Sequence, residues 1–310
     1  MKLEIWTFYA SGGVSMTYHK CAEEGCPFKP ISFSHYCWQH IPDKKAFLKK
    51  LRKNIESSVA PVTLDKVVLE NHDLSGLDLR SASFNGAVFI DVDFSHSNLT
   101  NVNFKRSFIQ GSKFHHTKLI QATLSSTIIL DSEFVDVDMS LVEGNLLKIK
   151  NARFENLYIK SADLKNSFWK QVEFKSVQII DGNFMMSFFD NLLVTDSKLD
   201  NALCSGSQFY KCIFQMNDLI EVNFIGCLID ENEYKNNLLQ NCRFATAIIR
   251  NTVYENCKIT KPIMRETQMV NSTFPRCTIT TPVLQRAVLI HTNLNVKKLA
   301  NANTEGLVVM

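Results

Sequence analysis

Residues 92–104 read Val92-Asp93-Phe94-Ser95-His96-Ser97-Asn98-Leu99-Thr100-Asn101-Val102-Asn103-Phe104, and this stretch decides the fold. A small residue is followed by a polar one, a large apolar one and two more polar ones, and then the order starts again. A period of five fits neither the 3.6 residues of an α-helix turn nor the alternation of an ordinary strand. It fits a coiled chain in which every unit sends its first and third side chains inward.

The pattern runs far in both directions. From Leu64 to Leu299, 48 positions have numbers ending in 4 or 9, and all but Gly144 are apolar, with Cys204 counted among them. Fifteen of the 22 Phe residues fall there. Two residues earlier, 37 of 48 positions from Val62 to Lys297 hold Ala, Ser, Thr, Cys, Val or Gly, as in Ala162-Asp163-Leu164. The phase never slips, so any insertion is a multiple of five. On these residues the chain resembles the pentapeptide-repeat family over about four-fifths of its length. The resemblance implies an all-β fold: a right-handed, quadrilateral parallel β-helix, a solenoid of about 12 coils with four pentapeptides each. At about 4.8 Å per strand the rod would be roughly 57 Å long.

A 20-residue coil has a consequence that can be checked within the sequence. The column Phe94, Phe114, Phe134, Phe154, Phe174, Val194, Phe214, Tyr234, Tyr254, Phe274 is nearly all aromatic, whereas Leu99, Leu119, Met139, Ile159, Ile179, Leu199 and their successors include no ring. Stacked rings on one side and aliphatic chains on another are what a 20-residue coil predicts. Gly144 stands where a large side chain belongs, and a thin spot or a kinked coil is expected there.

The chain divides into three parts. Residues 1–60 form an N-terminal module, 61–302 the solenoid and 303–310 a tail. Residues 1–15 carry no readable pattern, and Met16 is an alternative start. Next comes Cys21-x4-Cys26-x10-Cys37-x2-His40, two close pairs of soft or borderline donors that suit tetrahedral Zn²⁺. His35 is a rival fourth ligand, but the tight Cys37-x2-His40 knuckle has the better geometry. The run Tyr36-Cys37-Trp38-Gln39-His40-Ile41-Pro42-Asp43-Lys44 also resembles short Cys/His knuckles that precede other bacterial domains. Four protein ligands predict a structural ion, not a catalytic one. Residues 43–57 read as an amphipathic helix with Asp43 as N-cap and Phe47, Leu48, Leu51 and Ile55 on one stripe. An open β-helix end needs such a cap.

Of the nine Cys, six lie in the repeats: Cys212, Cys227, Cys242, Cys257 and Cys277 at small inward positions and Cys204 at a large one. They read as buried small hydrophobes. Cys257 and Cys277 would stack one coil apart, near disulfide range, and are expected to be reduced.

The chain has 310 residues, 45% apolar and 21% charged, with a net charge of +3. These values argue against disorder and against a strongly acidic or basic binder. No apolar run reaches 18 residues, so no membrane partner is expected, and no secretory leader is read; a cytoplasmic location follows. Residues 1–60 carry a net +4, residues 181–233 a net −7 and residues 258–298 a net +6. On the coil, Asp181 and Glu221 stack two coils apart with Asp200 and Asp218 beside them, a candidate acidic face for a partner. The apolar tail could fold over the last coil or join two chains end to end as a homodimer.

No phosphate-binding glycine loop, nucleophile elbow or zinc-protease motif is present. A rod packed solid with Phe and Leu implies no substrate cleft. The leading expectation is therefore a non-enzymatic protein–protein interaction scaffold. The resemblance to the quinolone-resistance branch implies an alternative, a DNA-mimicking protein that binds a type II topoisomerase such as gyrase. Nucleic-acid binding through the zinc module and the basic helix ranks lower, since few aromatic residues interleave with that basic run.

Overall fold

The computed structural model describes residues 20–310. Met16 lies outside the described residues. From Leu64 onward the chain winds into a parallel β-solenoid of about 12 turns. Strand pairs are parallel and offset by 20 residues, as in Val68↔Val88, Glu173↔Leu193, Asp218↔Leu238 and Val288↔Val308. Each turn has four faces, named here by their inward residues: face 1 (Leu64, Phe84 and onward), face 2 (Leu69, Phe89), face 3 (Leu74, Phe94) and face 4 (Leu79, Leu99). Among the described residues, face 2 is a 13-stranded sheet from Val68–Glu70 to Val308–Val309, face 3 an eight-stranded sheet and face 4 a seven-stranded one. Face 1 is a ladder of isolated parallel bridges from Thr63↔Ser83 to Val283↔Asn303.

The five-residue period has a backbone cause. Every residue whose number ends in 1 or 6, from Lys66 to His291, has a positive φ, and this left-handed residue turns the corner between faces. Asn, Asp and Gly tolerate that region best, and they recur there as Asn151, Asn156, Asp181 and Gly206. At Gly206, with φ of +69°, a Cβ would also come within 2.6 Å of Met186 Sδ one coil below.

Inside, the columns are buried and stacked. Phe114, Phe134 and Phe154 follow one another at centroid distances of 4.6 Å, and Phe214, Tyr234, Tyr254 and Phe274 at 4.6–4.9 Å. The small inward position also serves the corners. Thr127 Oγ1 donates to the Phe104 carbonyl at 2.6 Å and Ser207 Oγ to the Phe184 carbonyl at 2.8 Å, both 23 residues back. Asn217, Asn232 and Asn237 do the same with their amides, at 2.9, 3.0 and 2.7 Å. A short polar side chain is thus favoured there because it pairs a buried backbone carbonyl.

No thin spot forms at Gly144. Its ladder bond to the Asp163 carbonyl holds at 2.8 Å. The missing side chain is replaced by neighbours: a Cβ there would meet Leu164 Cδ2 at 2.6 Å and Leu147 Cδ2 at 3.3 Å. Leu147 occupies a small slot, so a large residue in the next pentapeptide compensates for the glycine.

The N-terminal end is covered. Helix α1 (Lys44–Glu56) starts at Asp43, whose carboxylate accepts from the Ala46 N–H at 2.9 Å. Leu51 and Ile55 are buried, with Phe47 and Leu48 packed partly against the same core as Leu64 and Leu69. Arg52 fixes the helix to the first coil through the carbonyls of Asp73 and Ser75 and the Asp73 carboxylate. At the other end residues 303–310 continue the ladder: Asn303 bridges Val283, and Val308–Val309 pairs with the preceding rung of face 2. Val308, Val309 and Met310 are exposed there. Among the described residues no helix is long and apolar enough to cross a membrane.

Candidate metal centre and charged face

Four predicted donors converge before α1. Cys21 Sγ lies 3.5 Å from His40 Nδ1, Cys37 Sγ lies 3.3 Å from the same nitrogen, and Cys26 Sγ lies 3.8 Å from Cys37 Sγ. All four donor atoms fall within 4.8 Å of one another. A tetrahedron with Zn–S of about 2.3 Å and Zn–N of about 2.0–2.1 Å has edges of about 3.8 Å between sulfurs and about 3.5 Å between sulfur and nitrogen. The three separations quoted lie close to those edges, and the donor set is one Zn²⁺ takes. His35 is exposed and outside the cluster; its carbonyl accepts from the Ala22 N–H instead.

Local structure explains the convergence. Gly25, at φ +76°, turns the chain between Cys21 and Cys26, and the Cys21 N–H bonds the Phe28 carbonyl at 3.0 Å. Cys37 opens a short 3-10 turn, Trp38–His40, which brings His40 back over Cys37 through a 3.0 Å bond from its N–H to the Cys37 carbonyl. Burial opposes ionisation of Cys21, but hydrogen bonds from the Cys37 and Glu23 backbone and from His40 and Cys37 outweigh it, and the thiol is lowered to about 6. Cys26 moves the other way: burial and the neighbouring Cys21 and Cys37 raise it.

The module is bolted to the rod. The Ser32 N–H donates to the Thr63 carbonyl, the Lys66 ammonium sits 3.5 Å from the Phe28 ring centroid, and Trp38 packs edge-on against Phe47 at 6.2 Å. A cleft of about 560 Å³ remains between module and first coil, lined by residues that include Phe28, Pro30, Trp38, Asp65 and Lys66. The solid interior gave no reason to expect it; it arises because a separate small module meets the rod end. Asp65 is occupied there with Ser83 Oγ at 2.6 Å and the Asn85 N–H at 3.1 Å.

The acidic residues come together on face 4 and its edge, interleaved with other groups. Asp218 is in register with Lys198, Asp200 lies between Ile180 and Ile220, and Lys198 Nζ stands 3.9 Å from Asp200. Asp181 accepts from Asn201 at 2.7 Å and Glu221 from Asn241 at 3.4 Å. The face is therefore acidic in patches, not a continuous anionic strip.

Burial raises Cys212, Cys227 and Cys242 to about 12 and Cys204 well above the usual thiol range. All six repeat cysteines are free; the Cys257 N–H approaches Cys277 Sγ at 3.4 Å.

A pentapeptide-repeats family model matches in eight copies, at residues 69–106. Those residues carry the same five-residue register that the structure keeps along the whole rod. Over residues 69–106 the chain matches the pentapeptide-repeat family. Similar solved structures include HetL, a pentapeptide repeat protein involved in heterocyst differentiation regulation from the cyanobacterium Nostoc sp. strain PCC 7120, at 12% identity, covering 84% of this chain and 92% of that chain, TM-score 0.33. Full-length QnrB1, a plasmid-mediated fluoroquinolone resistance protein, is 13% identical, covering 80% of this chain and 93% of that chain, TM-score 0.22. The catalytic unit of an α-1,3-glucanase from Streptomyces thermodiastaticus is 12% identical, covering 85% of this chain and 65% of that chain, TM-score 0.39. No curated protein matches the sequence.

Proposed function

We propose that this chain is a non-enzymatic protein-interaction scaffold whose N-terminal end is locked by a structural Zn²⁺. The observation that carries the reading is the straight 20-residue register, which turns the outward residues of each face into fixed columns on a rigid rod. A surface ordered before binding loses little conformational entropy when a partner docks. Cys21, Cys26, Cys37 and His40 would hold the ion. Its chemistry is cross-linking, because four protein ligands complete the tetrahedron and a module this short has no core of its own.

The patch of Asp181, Asp200, Asp218 and Glu221 supports a partner with a basic binding surface. A DNA-binding enzyme such as a type II topoisomerase is the second reading, favoured by the net −7 of residues 181–233. The test is capture of partners by the full chain and by a variant carrying Asp181→Lys, Asp218→Lys and Glu221→Lys. One protein bound saturably by the native chain and released by the variant supports the scaffold reading; its identity separates the two readings. Absence of any saturable partner overturns both. Metal analysis tests the ion: one Zn²⁺ per chain, lost in Cys37→Ser, is expected.

A further inference from the structure

Face 2 differs from the other faces on its outside. Of its 26 outward positions, from Val68 and Glu70 to Val308 and Met310, 16 are apolar, counting Tyr210, whereas face 3 has only Val135, Leu193, Ile213 and Val253. Val88, Phe108, Ile128 and Phe188 are half-exposed, Phe168 is exposed, and Phe168 and Phe188 stack outside the rod at 5.3 Å. Solvated sheet faces normally alternate apolar-in with polar-out, so a long apolar exterior on one side points to a partner surface.

We propose that face 2 is the contact between two copies of this chain, packed face to face with their rods antiparallel. Three features select that occupant and that orientation. The first is symmetry about the Phe188 rung, the seventh of 13. A two-fold axis across this rung sets Val88 against Val288, Ile90 against Ile290 and Phe188 against its own copy. The second is charge. Lys148 and Lys150 are exposed and carry no ion pair among the described residues. The antiparallel arrangement sets Lys150 against Asp230 of the second copy, twice. Parallel rods would set Lys148 against Lys150, and like charges facing each other across an interface are costly. Asp190, which would meet its own copy, is already balanced by Lys170 at 2.7 Å and Asn191 at 2.6 Å. The third is area. A strip about 50 Å long and roughly 12 Å wide buries about 600 Å² per copy, about 1,200 Å² in all, the lower edge of specific stable interfaces.

The proposal does not depend on the scaffold reading. Sedimentation equilibrium of the full chain tests it, with twice 35.3 kDa the expected mass. Phe188→Arg should raise the dissociation constant at least about thirtyfold, as loss of a central aromatic anchor does. Circular dichroism should be unchanged, because the side chain points outward. Asp230→Lys should weaken the dimer, and Lys150→Asp in the same chain should restore it. That charge swap decides the matter if Phe188→Arg fails to fold. Val309→Asp, at the exposed last rung, should leave the mass unchanged. A chain monomeric at every loading concentration overturns the proposal. So does a dimer that survives the face 2 changes but is lost with Val309→Asp, which would be end-to-end association.

Discussion

Ser32 and Thr63 are joined by two hydrogen bonds: the Ser32 N–H donates to the Thr63 carbonyl at 2.7 Å, and the Thr63 N–H donates to Ser32 Oγ at 2.8 Å. Ser32 lies within the Cys/His module and Thr63 starts the ladder of face 1. This pair of hydrogen bonds ties the module to the rod, and it links the proposed metal site to the first coil.

On the proposed Zn²⁺ site, removal of the ion by a chelator should therefore loosen more than the module. Repeat rods behave as chains of neighbour contacts, so the effect should decay along the axis. Amide exchange at Thr63, Leu64 and Leu69 should rise at least about tenfold, about 1.4 kcal/mol of local protection, while Phe134 and Phe154 stay protected. Hydrogen exchange with mass readout measures this. Unchanged exchange at Leu64 after complete metal removal would show that the Ser32–Thr63 link does not carry the coupling.

The pH dependence of metal uptake follows from Cys21. Its folded thiol sits near 6, below the ordinary 9.0, so the thiolate is present above about 6 and is lost as pH falls through that value. Proton release on metal binding therefore gains one proton on the acid side. The slope of log affinity against pH should steepen by about one below pH 6. Competition with a zinc indicator between pH 5 and pH 8 measures it; a slope constant through pH 6 would contradict the assignment of Cys21 as the pre-ionised ligand.

Phe134 lies between two rings at 4.6 Å on either side, with 1% of its surface exposed. Phe134→Ala should cost about 3–5 kcal/mol, because the stacked neighbours cannot collapse into the gap. Phe134→Leu should cost clearly less, since the face 4 columns show that this coil width accepts aliphatic chains. Denaturant unfolding of the two variants makes the comparison; equal losses would mean that the column is not packed as the ring distances indicate.

The columns were legible in the sequence because inward and outward positions differ in chemistry and the period is local. The Cys/His cluster was legible because its spacing places the donors in two close pairs. Other features are set by partners distant in sequence. Asn217 interrupts the small-residue pattern, and its reason is the Val194 carbonyl 23 residues earlier. Gly144 looked like a defect because the compensating Leu147 sits in a slot that normally holds a small side chain. The left-handed corners were not read from the sequence: Asn and Asp recur there, but Leu141, Leu146 and Met186 hold the same conformation and obscure the signal. The outward apolar column of face 2 is periodic at 20 residues, not five, so a search for the pentapeptide alone passes over it.

Two buried polar side chains about two coils apart in the rod should respond in opposite senses to truncation. Asn217 is fully paired: its Nδ2 donates to the Val194 carbonyl at 2.9 Å and its Oδ1 accepts from the Ser197 N–H at 2.8 Å. Asn217→Ala strands both backbone groups and should cost about 1–3 kcal/mol. Tyr254 is the reverse case. Its hydroxyl is buried with no hydrogen-bond partner among the described residues, and burial raises its ionisation above the ordinary value. Its ring stacks between Tyr234 at 4.6 Å and Phe274 at 4.9 Å, contacts that phenylalanine keeps. Tyr254→Phe removes the unsatisfied oxygen and should be neutral or stabilising by up to about 1 kcal/mol. Urea unfolding of both variants gives the two signs directly. A clear loss of stability in Tyr254→Phe would mean that the hydroxyl is paired in solution, with a water molecule bridging it to the coil.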